Sequence, residues 1–178
     1  MNPMRRILSI TLVFSVFFYS CKKSDLKETN GSNGNNNNTN GSGDIVYNLN
    51  KTTLLQLVND VRSKGCTCGT TVMPAVAPLA WNDQLAKAAF DHSTDMQVNN
   101  YFSHTGLNGS TAGQRITAAG YNWNAYGENI ASGYTTEQAV MDGWLSSEGH
   151  CKNIMGAAYK DLGAGRAGNY WTEEFGSR

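Results

Sequence analysis

Twenty-two residues, Lys22 to Gly43, confine folding to the chain that follows them. Asn, Gly, Ser and Thr dominate this stretch, Asn35 to Asn38 run unbroken, and no apolar residue appears between Leu26 and its end. Such a segment cannot bury enough surface to offset the entropy of ordering it. As a flexible coil it would reach a few tens of ångströms, from ~5–6 Å × √n. Residues 21–43 therefore read as a disordered linker, and residues 44–178 as one folded domain long enough to hold a real core.

Ahead of the linker, residues 1–20 read as a signal peptide. Arg5-Arg6 form a short basic region, and Ile7 to Phe18 are largely apolar but shorter than a membrane span. The segment closes on Phe18-Tyr19-Ser20-Cys21. A small residue before a cysteine resembles a bacterial lipobox, which would make Cys21 a lipidation site and the membrane a partner through that anchor. Lys22-Lys23-Ser24-Asp25 resembles the tethers of Bacteroidetes surface lipoproteins. The expected location is the bacterial outer membrane or cell surface, with a periplasmic or secreted protein as the alternative. Setting Arg5 and Arg6 aside leaves 12 basic against 14 acidic residues, so there is no basic footprint for nucleic acid.

Cys66, Cys68 and Cys151 remain in the domain. An oxidising compartment favours one disulfide with one thiol left over. Cys66-Thr67-Cys68 is too tight for a redox CxxC motif, which points to Cys151 pairing with Cys66 or Cys68.

Along the domain, Asn50 to Lys64 has a broad apolar stripe ending at Gly65 and predicts a helix. Residues 66–80 read as a loop. Asn82 and Asp83 suit the start of a second helix, with Leu85, Ala88, Ala89, His92 and Met96 on one face. Ser110 to Ala119 predicts a short third helix. Thr135 and Gln138 match a capping box opening a fourth. Lys160–Arg166 and Tyr170–Phe175 read as two strands of a hairpin, and residues 121–131 supply another. Helices first and strands last point to an α+β domain with helices covering an antiparallel sheet.

Three polar clusters carry the chemistry: Phe102-Ser103-His104, Gly127-Glu128-Asn129 and Gly149-His150. They hold two of the chain's three histidines, with Glu128 24 residues after His104 and 22 before His150. Two imidazoles and a carboxylate suit a zinc or other divalent cation, or an acid–base pair. In the second case Ser103 or Ser147 is a conceivable nucleophile. Neither a Gly-x-Ser-x-Gly elbow nor a His-Glu-x-x-His helix is present. His92 reads as a core or supporting histidine. Alternation along Tyr170–Phe175 puts Glu173 and Glu174 on opposite faces, both expected at exposed edge positions outside the chemistry. Tyr101, Phe102, Trp123, Tyr126, Tyr134 and Trp171 offer walls for a sugar or peptide groove, or core.

These clusters occur in order with Ala89-Phe90-Asp91-His92-Ser93-Thr94-Asp95-Met96, Arg115-Ile116, Ala119-Gly120-Tyr121, Trp144, Asn153-Ile154-Met155 and Tyr170-Trp171-Thr172. The set resembles the bacterial branch of the CAP superfamily, which groups cysteine-rich secretory proteins, antigen 5 and pathogenesis-related proteins (the SCP domain). The resemblance spans about residues 50–176. It implies an α-β-α sandwich with a central antiparallel sheet and a cleft of two histidines and two glutamates that can hold a divalent cation. His104, Glu128 and His150 match three of the four. Ser147 stands where animal members carry the second glutamate, with Glu148 one step on, about 100° around a helix. Relatives usually carry Gln and an apolar residue in place of Glu173 and Glu174. The expected function is binding of an extracellular ligand in a His/Glu cleft, with a cation as companion. The rivals are a peptidase-like hydrolase and a non-catalytic adhesive module.

Overall fold

The computed structural model describes residues 45–178. The expected signal segment, Cys21 and the linker lie outside the described residues. The described chain opens with β1 (Ile45–Val46) and β2 (Leu49–Asn50), paired antiparallel. Asn50 then caps α1 (Lys51–Lys64), its side-chain oxygen accepting from the Thr53 N–H at 2.9 Å. Gly65, with φ +71°, ends the helix as the sequence predicts.

Residues 66–80 hold more order than a loop. β3 (Cys66–Cys68) and β4 (Thr71–Met73) form an antiparallel hairpin around Gly69, and β5 (Ala80–Trp81) follows. The stretch between β4 and β5 is bound to α1. The Asn59 side chain donates to the Leu79 carbonyl and accepts from its N–H. The fully buried Arg62 guanidinium donates to the carbonyls of Ala77, Ile154 and Gly156.

Asn82 caps α2 (Asp83–Asn99), as expected, accepting from the N–H groups of Gln84 and Leu85. α3 (Ala112–Ala118) opens with a capping box made by Thr111 and Gln114. β6 (Ala125–Ser132) starts later than the sequence suggested. α4 (Glu137–Ser146) is capped by Thr136, whose hydroxyl accepts from the Ala139 N–H. The expected Thr135/Gln138 box is therefore one residue out of place: the Thr135 carbonyl accepts from Arg166, and Gln138 donates to Asp142. α5 (Glu148–Ile154), β7 (Asp161–Ala167) and β8 (Tyr170–Ser177) complete the order.

The main sheet runs β5-β7-β8-β6. β8 is antiparallel to both neighbours, while the two-residue β5 lies parallel to β7 and is the one departure from an antiparallel sheet. α2 and α3 cover one face. α1, α4 and α5 cover the other, over a core that includes Leu54, Val58, Val140, Met141, Trp144, Ile154, Trp171 and Phe175. The fold is the α+β sandwich the sequence resembled.

β8 is a central strand, and this corrects the expectation for its glutamates. Glu173 and Glu174 are both fully buried. Alternation does put them on opposite faces, but both faces are covered by helices. Pairing Gly163 with Glu174, and Gly165 with Thr172, places Glu174 and Thr172 under α2. There the Ser93 hydroxyl of α2 donates to the Gly165 carbonyl and shares a second hydrogen bond with the Thr172 hydroxyl. A Cβ on Gly163 would collide with the backbone of Leu85 and Ala86, and one on Gly165 with that of Phe90. Helix and strand thus meet backbone to backbone.

Candidate binding cleft and its buried carboxylates

Glu128 leaves β6 on the α2 side of the sheet, where a carboxylate must find partners because it is only 8% exposed. Three elements supply them. His104, in the loop after α2, places Nδ1 2.7 Å from Oε1. Arg115 of α3 donates through Nη2 to Oε2 at 2.5 Å. His92 of α2 sits behind, with Nε2 3.9 Å from Oε2. Arg115 also donates to the carbonyls of His104 and Ser110, so it holds the histidine's loop as well as the glutamate. His92 is buried and shares a 2.9 Å hydrogen bond with the Ser103 carbonyl, which bears out a supporting place.

Burial alone would push the Glu128 carboxyl up. The hydrogen bond from His104 and the charge of Arg115 outweigh it and hold the group below the ordinary carboxylate range. In return, the hydrogen bond to Glu128 raises the His104 imidazole above its ordinary value, against burial and the Arg115 charge. Accepting at Glu128 fixes the His104 proton on Nδ1, so Nε2 is left to face outward. The His104 side chain is 58% exposed.

Outward lies a cleft of about 540 Å³ lined by Phe102, His104, Ile130, Tyr134, Trp144, Ser147 and His150, among others. The structure thus brings His104, His150 and Ser147 to one cavity, with Glu128 behind its wall. His150 is lowered by burial and by the nearby His104. Ser147 caps α5 only by position, since its hydroxyl makes no capping hydrogen bond. Glu148 does not join them: it is exposed and pairs with Lys152 at 2.6 Å, four residues on along α5. The one-residue shift from Ser147 turned it out of the cavity.

The aromatic residues divide. Phe102 and Tyr134 line the cleft. Tyr101 donates its hydroxyl to Asp95. Trp171 is core, and Trp123 packs edge-on to Tyr126 beside α3, away from the cleft.

The expected trio of metal donors does not fit an ion as it stands. Both Glu128 oxygens are engaged, one by a guanidinium that already supplies the positive charge. Among the described residues, the only trio of His, Cys, Asp or Glu ligand atoms gathered within 4.8 Å is Cys66, Cys68 and Cys151. Cys68 and Cys151 are joined as a disulfide, tying β3 to the helix that carries His150. This selects one of the two expected pairings. The leftover thiol is corrected too, because no described cysteine is free.

Two residues that flank Glu128 escaped the sequence reading. Arg115 appeared only as part of a motif. Glu174 was set aside, yet it lies directly opposite Glu128 in the β6–β8 register and on the same face. Burial, then the charge and hydrogen bond of Glu128, push its carboxyl well above the ordinary value, against the pull of Arg115. On the other face Glu173 is raised by burial to about 8, partly offset by a hydrogen bond from Asn129. Asn129 also donates to the His150 carbonyl.

The profile described as CAP, the cysteine-rich secretory protein family, matches residues 55–175. In Bacillus subtilis, the uncharacterized membrane protein YlbC is 36% identical over 122 residues, 68% of this chain and 33% of its own length. YkwD of the same organism is 35% identical over 100 residues, 55% of this chain and 39% of its own. The chain thus spans a third to two fifths of the length of these curated relatives. An extracellular SCP-domain protein from Bacillus anthracis superposes with TM-score 0.64 at 34% identity, over 71% of this chain and 40% of that one. An outer surface protein of Borrelia burgdorferi shares the fold, with TM-score 0.62 at 24% identity over 71% of this chain and 91% of that one.

Proposed function

This chain belongs to the cysteine-rich secretory protein (CAP) family, and we propose that it is an exported protein that binds an extracellular ligand in the His104–His150 cleft. The observation that carries this reading is the 2.7 Å Glu128–His104 pair, which engages His104 Nδ1 and leaves Nε2 as the ring nitrogen available to a ligand in the cavity that His104 lines. The ligand has a polar head, received by His104, His150 and Ser147, and an apolar body lying on Phe102, Tyr134 and Trp144. His104 favours an anionic head as it gains its proton.

Export is supported by the Cys68–Cys151 disulfide, by the likeness to an extracellular protein of B. anthracis, and by the leader-like segment ending in Cys21. We propose Cys21 as its lipid anchor. Among the described residues no helix is long and apolar enough to cross a membrane.

The test is ligand-detected NMR of the intact protein against panels of peptides, glycans and lipid head groups. The expected result is a hit that weakens at least tenfold in both His104→Ala and His150→Ala. Hits indifferent to both substitutions would remove the cleft from the reading.

The same pair favours a second reading. A carboxylate-oriented imidazole and a serine hydroxyl lining one cavity are parts a hydrolase needs. Turnover of a peptide and ester library that disappears in both Glu128→Gln and Ser147→Ala would promote it.

A further inference from the structure

We propose that Glu174 is a positioning residue of the cleft: a buried carboxylic acid that donates its proton in a hydrogen bond to Glu128 and so fixes Glu128 as the single anion behind His104. It rests on the reading of His104 as the ligand-facing group, but not on which ligand the cleft takes.

Geometry carries the inference. Glu128 and Glu174 are directly opposed residues of adjacent antiparallel strands, on one face of the sheet, and neither reaches solvent freely. Neither Glu174 oxygen accepts a hydrogen bond from a donor among the described residues. Left as a carboxylate, it would be a bare buried charge beside another anion, an arrangement of high cost. With a proton, its one donor meets the acceptor that the β6–β8 register sets directly opposite it, the Glu128 carboxylate.

The charged and titratable groups around the pair come from every packed element. Arg115 approaches from α3, His92 from α2 and His104 from its loop, with Glu173 across the sheet. Arg115 and His104 both bond to Glu128. That asymmetry decides which carboxyl keeps the proton.

The consequence reaches the cleft. Two anions behind His104 would overfill its positive partners. One anion, tied on three sides, orients Nδ1–H and leaves Nε2 outward.

The experiment is NMR titration of the full chain, following the His104 imidazole and the glutamate side-chain carboxyl carbons. In wild type a protonated carboxyl is expected at pH 7 that disappears in Glu174→Gln, with Glu173→Gln assigning the other buried acid. Its titration moves to lower pH in Glu128→Gln. Glu174→Gln keeps a donor and should leave the His104 midpoint within about 0.3 unit of wild type. Glu174→Leu removes the donor, makes Glu128 more basic, and should raise that midpoint by about half a unit or more. Three results would overturn the proposal: an ionised Glu174 at pH 7, a Glu174 titration that ignores Glu128→Gln, or a His104 midpoint that drops by about one unit in Glu174→Gln. The last would show that a second negative charge had been removed. None of these touches the ligand screen, so failure here and failure of the binding reading are separable.

Discussion

The two faces of the main sheet are held by different physics. Beneath α1, α4 and α5 the contacts are large and apolar, with Trp144, Trp171, Phe175 and Met141 buried together. Beneath α2 and α3 the strands present glycines and carboxyls, met by alanines, Ser93, His92 and Arg115. Each face hides one glutamate of β8. Glu173 has an amide partner, and Glu174 stands directly opposite the Glu128 carboxylate. The apolar face is where stability is made. The polar face gives some of it up to set an oriented imidazole in place.

The largest effect should come from breaking the apolar face. Trp171→Ala opens a cavity at a fully buried site, and urea unfolding should show a loss of about 3–5 kcal/mol. A comparable loss from Thr172→Val, on the polar face, would erase the distinction. Next, replacing both Cys68 and Cys151 with alanine removes a link between residues 83 apart, with an expected cost of about 2–5 kcal/mol in the same assay.

Glu173 then sharpens the comparison through pH. Its folded value of about 8 stands above the ordinary 4.5, so between those values the folded state holds the extra proton. Its contribution is full below about 4.5 and is lost as pH rises through 8. Glu173→Gln should therefore be the more stable protein at pH 8–9, by up to about 3–5 kcal/mol, with the gap closing toward pH 5. A gap that widens on acidification would contradict the assignment. On the polar face, Glu128→Gln should lower the His104 midpoint, read by imidazole NMR. The smallest effect belongs to the surface: Lys87→Ala breaks a pair with both side chains 55% exposed and should change stability by less than about 0.5 kcal/mol.

Much of this was legible in the sequence because it is local. Gly65 and Asn82 announced helix ends by their chemistry, and the Phe-Ser-His, Gly-Glu-Asn and Gly-His clusters supplied residues that line or back the cleft. The failures concern what lies beside what. Alternation along Tyr170–Phe175 correctly separated Glu173 from Glu174, but a period of two carries no information on whether a strand is central. Only the β7–β8–β6 order buries both. Arg115 was unreadable as a site residue for the same reason, since its partner lies 13 residues on, across the fold. The Cys66–Met73 hairpin hid because strands of three residues are too short to show a period.

Gly163 and Gly165 set a limit on how this molecule can change. Where helix and strand touch through side chains, a substitution can be absorbed by new rotamers. Between α2 and β7 there is nothing to rearrange, because the backbones themselves are in contact. His92 on α2 is therefore held at a fixed height above the sheet that carries Glu128 and Glu174. The inner wall of the cleft is a template that variation cannot easily redraw. A protein of this design would acquire a new ligand by altering its outer rim, at Phe102, Tyr134 and Ser147, while the polar machinery behind it stays as it is.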